Sequence, residues 1–250
     1  MAATPRSRLD VLVTERGLVP SRERARALIL AGRVRVGGTV VNKAGTLVAL
    51  DADVTLTGPD MPWVGRGGVK LAHALEAFAI DVTGREALDV GASTGGFTDV
   101  LLSRGAVRVV ALDVGHGQLD WRIRADPRVV VMEHRNAREL QPDWLPSAVD
   151  VVTIDVSFIS LRLILPVLPP VMRPGADVVA LVKPQFEAGR DEVGRGGLVL
   201  DTAVHEAVIA RVSDAAAAAG LTRLGMTPSP ITGATGNQEY FLHLRLERAV

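Results

Sequence analysis

The sequence predicts a two-part protein: a doubly wound α/β domain, its mostly parallel sheet covered by helices on both faces, preceded by a small α+β domain. Three observations point to it. From Glu86 onward, short runs rich in Val, Leu and Ile (EALDV, VRVVALDV, RVVVME, VDVVTIDV, DVVALVK) alternate with helical stretches, and near-continuous apolar strands suit a parallel sheet buried on both sides. The first 45 residues show a different pattern, of short helices and a hairpin. Between the two patterns, TGPDMPWV at 57–64 carries two prolines and no periodicity, which marks a linker. Domains are expected at 1–58 and 65–250, joined by a linker at 59–64.

In the first domain, Leu9, Leu12 and Val13 have helical spacing that stops at Gly17. Ser21 is a favourable N-cap for a second helix that carries Ala25, Leu28 and Ile29 inward and stops at Gly32. Gly37-Gly38, set between two β-branched runs in VRVGGTVV, is a two-residue hairpin signal. In the second domain, Thr202–Ala219 reads as a helix ending before Gly220, and EYFLHLRLE alternates as a final strand.

At 250 residues and 48% apolar, the chain can bury a substantial core. Its 28 basic and 28 acidic residues balance, so net charge points to no polyanionic partner. Their distribution does. Between Met1 and Gly45 lie nine cations (Arg6, Arg8, Arg16, Arg22, Arg24, Arg26, Arg33, Arg35, Lys43) against three acids (Asp10, Glu15, Glu23), which leaves about +6 there. Clustered cations gain from counterion release at phosphates, and Arg22 and Arg26 share one helix face at i and i+4, so RNA is the expected partner over a merely solvated face.

No cysteine is present, which excludes disulfides, thiolate metal sites and a cysteine nucleophile, and suits a reducing cytoplasm. MAATPRSRLD lacks the apolar core of a signal peptide, and the longer apolar runs are interrupted by Pro, Arg, Asp or Lys, so no bilayer span is expected. His116, His134 and the other histidines lack ligand-like spacing and read as surface or cap residues, and no metal is expected.

The chemistry concentrates at strand ends. EALDV runs into GASTGGF and then a helix, so backbone N–H groups and a helix start can approach a ligand closely. Asp89 sits just before this turn; Asp113 ends the next strand, 24 residues later, where a carboxylate would accept hydrogen bonds from both ribose hydroxyls. GASTGG lacks both the GxGxxG spacing and the Lys-Ser/Thr ending of a P-loop, which favours a nucleoside with a sulfonium. The bland alternative for Asp113 is a helix cap. Asp155 in IDVSF and Lys183 in LVKPQFE end neighbouring strands and should face the same cleft. A lysine after a buried run needs a carboxylate partner, so a structural ion pair is its alternative reading.

RLDVLVTERGLVPSRERARALILAGRVRVGG resembles the RNA-binding domain first seen in ribosomal protein S-four. GRGGVKL, LDVGASTGGFTDVLL, IDVSFISL, LVKPQFE and GNQEYF resemble the TlyA, or hemolysin A, family, which joins such a domain to an FtsJ-type, Rossmann-like methyltransferase. The resemblance covers almost the whole chain. It implies S-adenosylmethionine as cofactor, ribose 2'-O-methylation of cytidine in ribosomal RNA of the small or large subunit or both, and a Lys-Asp-Lys-Glu tetrad at Lys70, Asp155, Lys183 and Glu239. Expected cofactor contacts are Asp89, Gly91, Ala92, Ser93, Gly95, Gly96, Asp113, Asn136 and Asp155. Expected RNA contacts are Arg6, Arg22, Arg26, Arg33, Arg35, Lys43 and Arg66. Ribosomal subunits are the expected partners, with no membrane and no obligate protein partner. The chain departs from the family pattern in its linker, where Met61-Pro62 precede Trp63-Val64. Two other classes compete: a membrane-active hemolysin, which would need a span, a signal or an insertion helix, and a nonenzymatic ribosome-binding module, which would leave the tetrad without a purpose.

Overall fold

The computed structural model describes residues 5–19, 21–30, 32–57 and 63–247. Gly58 and the linker residues 59–62 lie outside these ranges, so the departure at Met61-Pro62 does too. The chain divides into two compact units, Met1–Asp60 and Met61–Val250.

The first unit runs β1 (Arg6–Arg8), α1 (Leu9–Glu15), α2 (Arg22–Leu30), β2 (Val34–Val36), β3 (Thr39–Val40), β4 (Leu47–Ala49) and β5 (Val54–Leu56). Ser21 Oγ accepts from the Arg24 amide at 3.2 Å and so satisfies one of the orphan donors at the start of α2. Gly37 and Gly38 both take positive φ, 55° and 78°, and turn β2 into antiparallel β3. Two pairings had no signal in the sequence, β1 with β4 and β2 with β5. Leu9, Leu12, Val13, Ala25, Leu28, Ile29 and Val34 form the core beneath.

The second unit runs α3 (Arg66–Ala77), β6 (Glu86–Val90), α4 (Gly96–Ser103), β7 (Arg108–Leu112), α5 (Trp121–Ala125), β8 (Val129–Met132), β9 (Val149–Ile154), β10 (Met172–Val182), α6 (Pro184–Glu187), α7 (Thr202–Ala218), β11 (Leu221–Pro228) and β12 (Tyr240–Leu246). Seven strands form one sheet in the order β11-β12-β10-β9-β6-β7-β8. The pairs from β10 through β8 are parallel, whereas β12 lies antiparallel between β10 and β11. Strand β11 carried no sequence signal: LTRLGMTP shows no regular apolar alternation, and only Leu221 in it is buried.

The sheet is covered on both faces, and the residues show it. Along β10, Val178, Ala180 and Val182 join one apolar cluster, while Val179 and Leu181 join the other. The first cluster packs Val208, Ile209, Val212 and Ala216 of α7; the second packs Leu71, Ala74 and Leu75 of α3 with Val100 and Leu101 of α4. Period-2 strands with both faces apolar admit only this layering. The crossover from β9 to β10 is not an α-helix but three short 3-10 turns over 161–171. Pro166, Pro169 and Pro170 remove amide donors there, which prevents a continuous helix.

Candidate active site

Gly91 follows β6 at φ 85°, and a Cβ there would lie 2.5 Å from the Asp155 carbonyl oxygen. Only glycine permits the tips of β6 and β9 to approach so closely. Ser93 takes a left-handed φ of 48°, and its amide donates to Asp113 Oδ2 at 2.8 Å while the Gly115 amide donates to Oδ1 at 2.7 Å. Asp113 therefore ties the glycine-rich turn to the loop after β7. A carboxylate has about four acceptor sites, so two amides leave capacity for ligand hydroxyls.

Beside this turn opens a cavity of about 710 Å³, lined by the expected Gly91, Ser93, Asp113, Asn136 and Asp155. It is also lined by Gln118, Arg135, Arg138, Ser157 and Phe158, which were not singled out in the sequence. Their signal was positional: each follows the C-terminal end of β7, β8 or β9, the edge where such sheets bind ligands.

Four expected cofactor residues lie elsewhere. Ala92 is 6% exposed and packs in the apolar core. Gly95, at φ 93°, lies against Leu119 and Ile123, and Gly96 lies where a Cβ would come within 3.0 Å of the Gly68 amide nitrogen. Both let elements approach closely and neither lines the cavity. Asp89 is fully buried, and its carboxylate accepts from Thr98 Oγ1 at 2.7 Å and Thr153 Oγ1 at 3.0 Å. It supports the turn from below, held between Thr98 of α4 and Thr153 of β9, and does not line the cavity. Burial pushes its carboxyl up to about 7, against the opposing pull of the two threonine hydroxyls.

The four expected tetrad residues come to the same edge as two ion pairs. Lys70 of α3 contacts Glu239 at 2.5 Å, Nζ to Oε2, with side-chain exposures of 10% and 3%. Lys183 contacts Asp155 at 2.6 Å, Nζ to Oδ1, with exposures of 10% and 20%. The β10–β12 register pairs Val182 with Tyr240, so one further step sets Lys183 opposite Glu239. Gly67, at the start of α3, lies where a Cβ would be 3.8 Å from Asp155 Oδ2, which brings the helix carrying Lys70 against the second pair. Lys183 Nζ also reaches Ser157 Oγ at 3.0 Å.

Behind Glu239 the chain is held tightly. A Cβ at Gly233 would lie 2.5 Å from Glu239 Oε1. Asn237, only 2% exposed, accepts from the Val199 amide at 2.9 Å and donates to the Gly197 carbonyl at 2.8 Å. Nearby, Trp63 packs where a Gly68 Cβ would intrude, and the Val64 amide donates to Asp99 Oδ2 at 2.8 Å. His116 and His134, both exposed, stack with ring centroids 4.4 Å apart.

The first unit has a charged centre of its own. Asp10 is fully buried and receives Arg8, Arg22 and Arg26, each through Nε at 3.0 Å. The Arg8 hydrogen bond leads in holding its carboxyl well below the usual range, with Arg26 and Arg22 adding to it against desolvation. Three guanidinium groups on one carboxylate leave net positive charge on half-exposed side chains. Arg6 donates to the Leu47 carbonyl, Arg33 to Thr57 and Arg35 to Gly38, whereas Lys43 is exposed. Arg66, in the second unit, donates to the Thr232 carbonyl at 3.0 Å.

Known proteins match both units. The FtsJ-like methyltransferase family model matches residues 63–246, and the S4 domain model matches 7–54. The chain is 49% identical over 97% of its length to the 16S/23S rRNA (cytidine-2'-O)-methyltransferase TlyA of Mycobacterium tuberculosis, 91% of which is covered. It is 40% identical over 94% of its length to Hemolysin A of Brachyspira hyodysenteriae, 98% of which is covered. A solved structure from Streptococcus thermophilus that carries the hemolysin name superposes with a TM-score of 0.76 at 43% identity, covering 98% of this chain and 90% of that one. An S-adenosylmethionine-dependent methyltransferase structure from Mesorhizobium loti, 17% identical, shares the fold with a TM-score of 0.53, covering 72% of this chain and all of that one. With an S4 domain at 7–54 ahead of an FtsJ-like methyltransferase domain at 63–246 and alignment over most of its relatives' length, the chain belongs to the TlyA group of the FtsJ-like methyltransferase family.

Proposed function

We propose that this protein methylates the 2'-hydroxyl of a cytidine ribose in ribosomal RNA, of one or both subunits, with S-adenosylmethionine as the methyl donor. One observation carries the reading: two lysine–carboxylate pairs, nearly closed to solvent, stand at the sheet edge that also borders the cavity at the glycine-rich turn. A single buried pair is commonly structural; two, aligned by strand register at a ligand-binding edge, suit proton transfer.

The cavity's size lies within the usual range for small-molecule sites, and its donors fit a nucleoside. Asp113 can accept from ribose hydroxyls, while Gly91, Ser93 and Asn136 border the remainder. When bound, S-adenosylmethionine supplies a methyl group already activated by its sulfonium. The protein's task is then to hold a ribose hydroxyl in line with that methyl and take the hydroxyl's proton as a C–O bond replaces the methyl–sulfur bond and the neutral thioether leaves. Lys183, in its neutral form, accepts that proton on Nζ and returns to an ammonium beside Asp155. The Lys70–Glu239 pair, set opposite Lys183 by strand register, keeps charge balanced as the proton moves.

Arg6, Arg22, Arg26, Arg33, Arg35 and Lys43 of the first unit, with Arg66 of the second, hold RNA phosphates, reading folded shape more than sequence. The names of the tuberculosis relative and of the S4 domain support this substrate. Acting on ribosomal subunits, the protein functions in the cytoplasm, without a metal or an obligate protein partner. The hemolysin name of one relative gives a membrane-active reading no comparable support: among the described residues no helix is long and apolar enough to cross a membrane.

Lys183→Ala tests the reading. Single-turnover methyl transfer to ribosomal subunits at saturating cofactor should fall about a hundredfold to ten-thousandfold, with cofactor and RNA affinity near wild type. Lys183→Arg should not restore it, since a guanidinium stays protonated. A near-wild-type rate in Lys183→Ala would move the proton-accepting role elsewhere.

A further inference from the structure

We infer that Ser157 is a positioning residue that sets the direction of proton transfer at Lys183. The inference rests on the proposed role of Lys183 as proton acceptor. Ser157 lies two residues beyond Asp155, past the C-terminal end of β9, and borders the cavity. Its hydroxyl lies 3.0 Å from Lys183 Nζ, and the same nitrogen lies 2.6 Å from Asp155 Oδ1.

Tetrahedral geometry turns these two contacts into a direction. An ammonium nitrogen has one bond to its own chain and three N–H bonds. Asp155 takes one of the three and Ser157 takes a second, so the rotation about the Cε–Nζ bond is fixed and the third direction is determined. When the ammonium loses a proton, the two N–H bonds that remain stay on Asp155 and Ser157, and the lone pair occupies the third direction. With Asp155 alone, the amine could rotate about a single hydrogen bond, and its lone pair would sweep a cone. Among the described residues, Lys70 makes no such second contact and donates to Glu239 alone. The two lysines are thus built differently, one clamped by a single carboxylate and one oriented by two groups.

The surroundings leave Ser157 as the neutral partner. The charged partner of Lys183 is Asp155 at the end of β9; strand register sets Glu239, with its Lys70, opposite, and Asp89 beneath the β6 turn acts on Asp155. On its own side, the Phe186 ring centroid stands 6.0 Å from Nζ, and Glu187 is turned away to Ser160, the Leu161 amide and Arg162. A hydroxyl at 157 accepts an N–H without adding charge, so it orients the amine.

Ser157→Ala, Ser157→Thr and Lys183→Ala are measured together by single-turnover methyl transfer across pH, with cofactor affinity by calorimetry. Ser157→Ala should lower the plateau rate about tenfold to a hundredfold, the scale expected for a misdirected reacting group. Ser157→Thr keeps the oxygen and should restore the plateau. Cofactor is kept saturating, and calorimetry reads separately any change in its affinity at this cavity wall. A Ser157→Ala plateau that matches wild type, while Lys183→Ala is inactive, overturns the role of Ser157 and leaves that of Lys183 standing. An active Lys183→Ala overturns both. A plateau lowered equally in Ser157→Ala and Ser157→Thr also overturns the inference, since it would reflect packing only.

Discussion

The two ends of the central sheet are both charged, yet they are built from different cations. At the N-terminal ends of the parallel strands, Asp177 is buried and receives Arg85 at 2.9 Å, Arg245 at 2.6 Å and His243 at 2.8 Å. Asp150 beside it takes Arg173 and the Glu86 amide. At the C-terminal ends the cations are lysines, each matched with one carboxylate. Arginine stays protonated and offers a planar fork of donors, which suits a lock; lysine is a point charge that can lose its proton, which suits chemistry. Burial and pairing are therefore no guide to function by themselves: both ends have them, but only one end can exchange a proton beside a cavity.

The largest effect should come from breaking the closed lysine pair. Glu239→Ala leaves the Lys70 ammonium buried without its carboxylate, a defect that typically costs about 3–5 kcal/mol. Chemical denaturation should show that loss, and Glu239→Gln, which keeps an acceptor, should lose less. Equal stability of wild type and Glu239→Ala would mean that Lys70 finds water, and that the two ends differ less than their burial implies.

At the opposite end the expected effect is smaller and depends on pH. Although desolvation works against it, the hydrogen bonds from His243, Arg245 and Arg85 hold the Asp177 carboxyl down at about 2. A depressed carboxylate adds stability that is complete above its unfolded value of 3.8 and is lost as pH falls through about 2. Asp177→Ala should therefore cost about 2 kcal/mol near neutral pH, a difference from wild type that shrinks between pH 4 and pH 2. Methyl transfer by the folded fraction should be unaffected, since this end touches neither cavity nor tetrad. A pH-independent difference in the denaturation midpoints would show that packing, not charge, is what Asp177 contributes.

The Asp10 centre extends the comparison to the first unit, because there three arginines share one carboxylate and positive charge is left over. Arg22→Gln with Arg26→Gln still leaves Arg8 on Asp10 and should disturb folding little. Its effect should appear in RNA binding, as a log-log salt slope flatter by about one for each phosphate that is no longer neutralised. An unchanged slope would make this cluster a lock of the Asp177 kind.

Much of the molecule could be read from the residues in order. The Gly37-Gly38 turn, the Ser21 cap and the strands from EALDV to DVVALVK follow from local rules, because backbone conformation and period-2 apolarity are properties of neighbours in sequence. Strand β11 escaped that reading, since Leu221, Leu224 and Met226 follow no regular period and two of them are exposed, and so did the 3-10 crossover, where prolines override an apolar run. Glycine-rich spacing marked the turn but could not separate Gly91, which borders the cavity, from Gly95 and Gly96, which sit against helices.

The linear chain specifies the parts: a cationic first domain, an alternating apolar second domain, and lysines and carboxylates set at strand ends. Their pairing was settled only by the folded arrangement. Lys70 and Glu239 are 169 residues apart and meet because α3 and β12 converge on one sheet edge, while Lys183 takes Asp155 because β9 and β10 are neighbours. Asp89 lies beneath the turn instead of lining the cavity for the same reason, since Thr98 and Thr153, which hold its carboxylate, come from α4 and β9. Local chemistry is written in adjacent residues, but the partner of a charge is chosen by strand order and register, which no single segment contains.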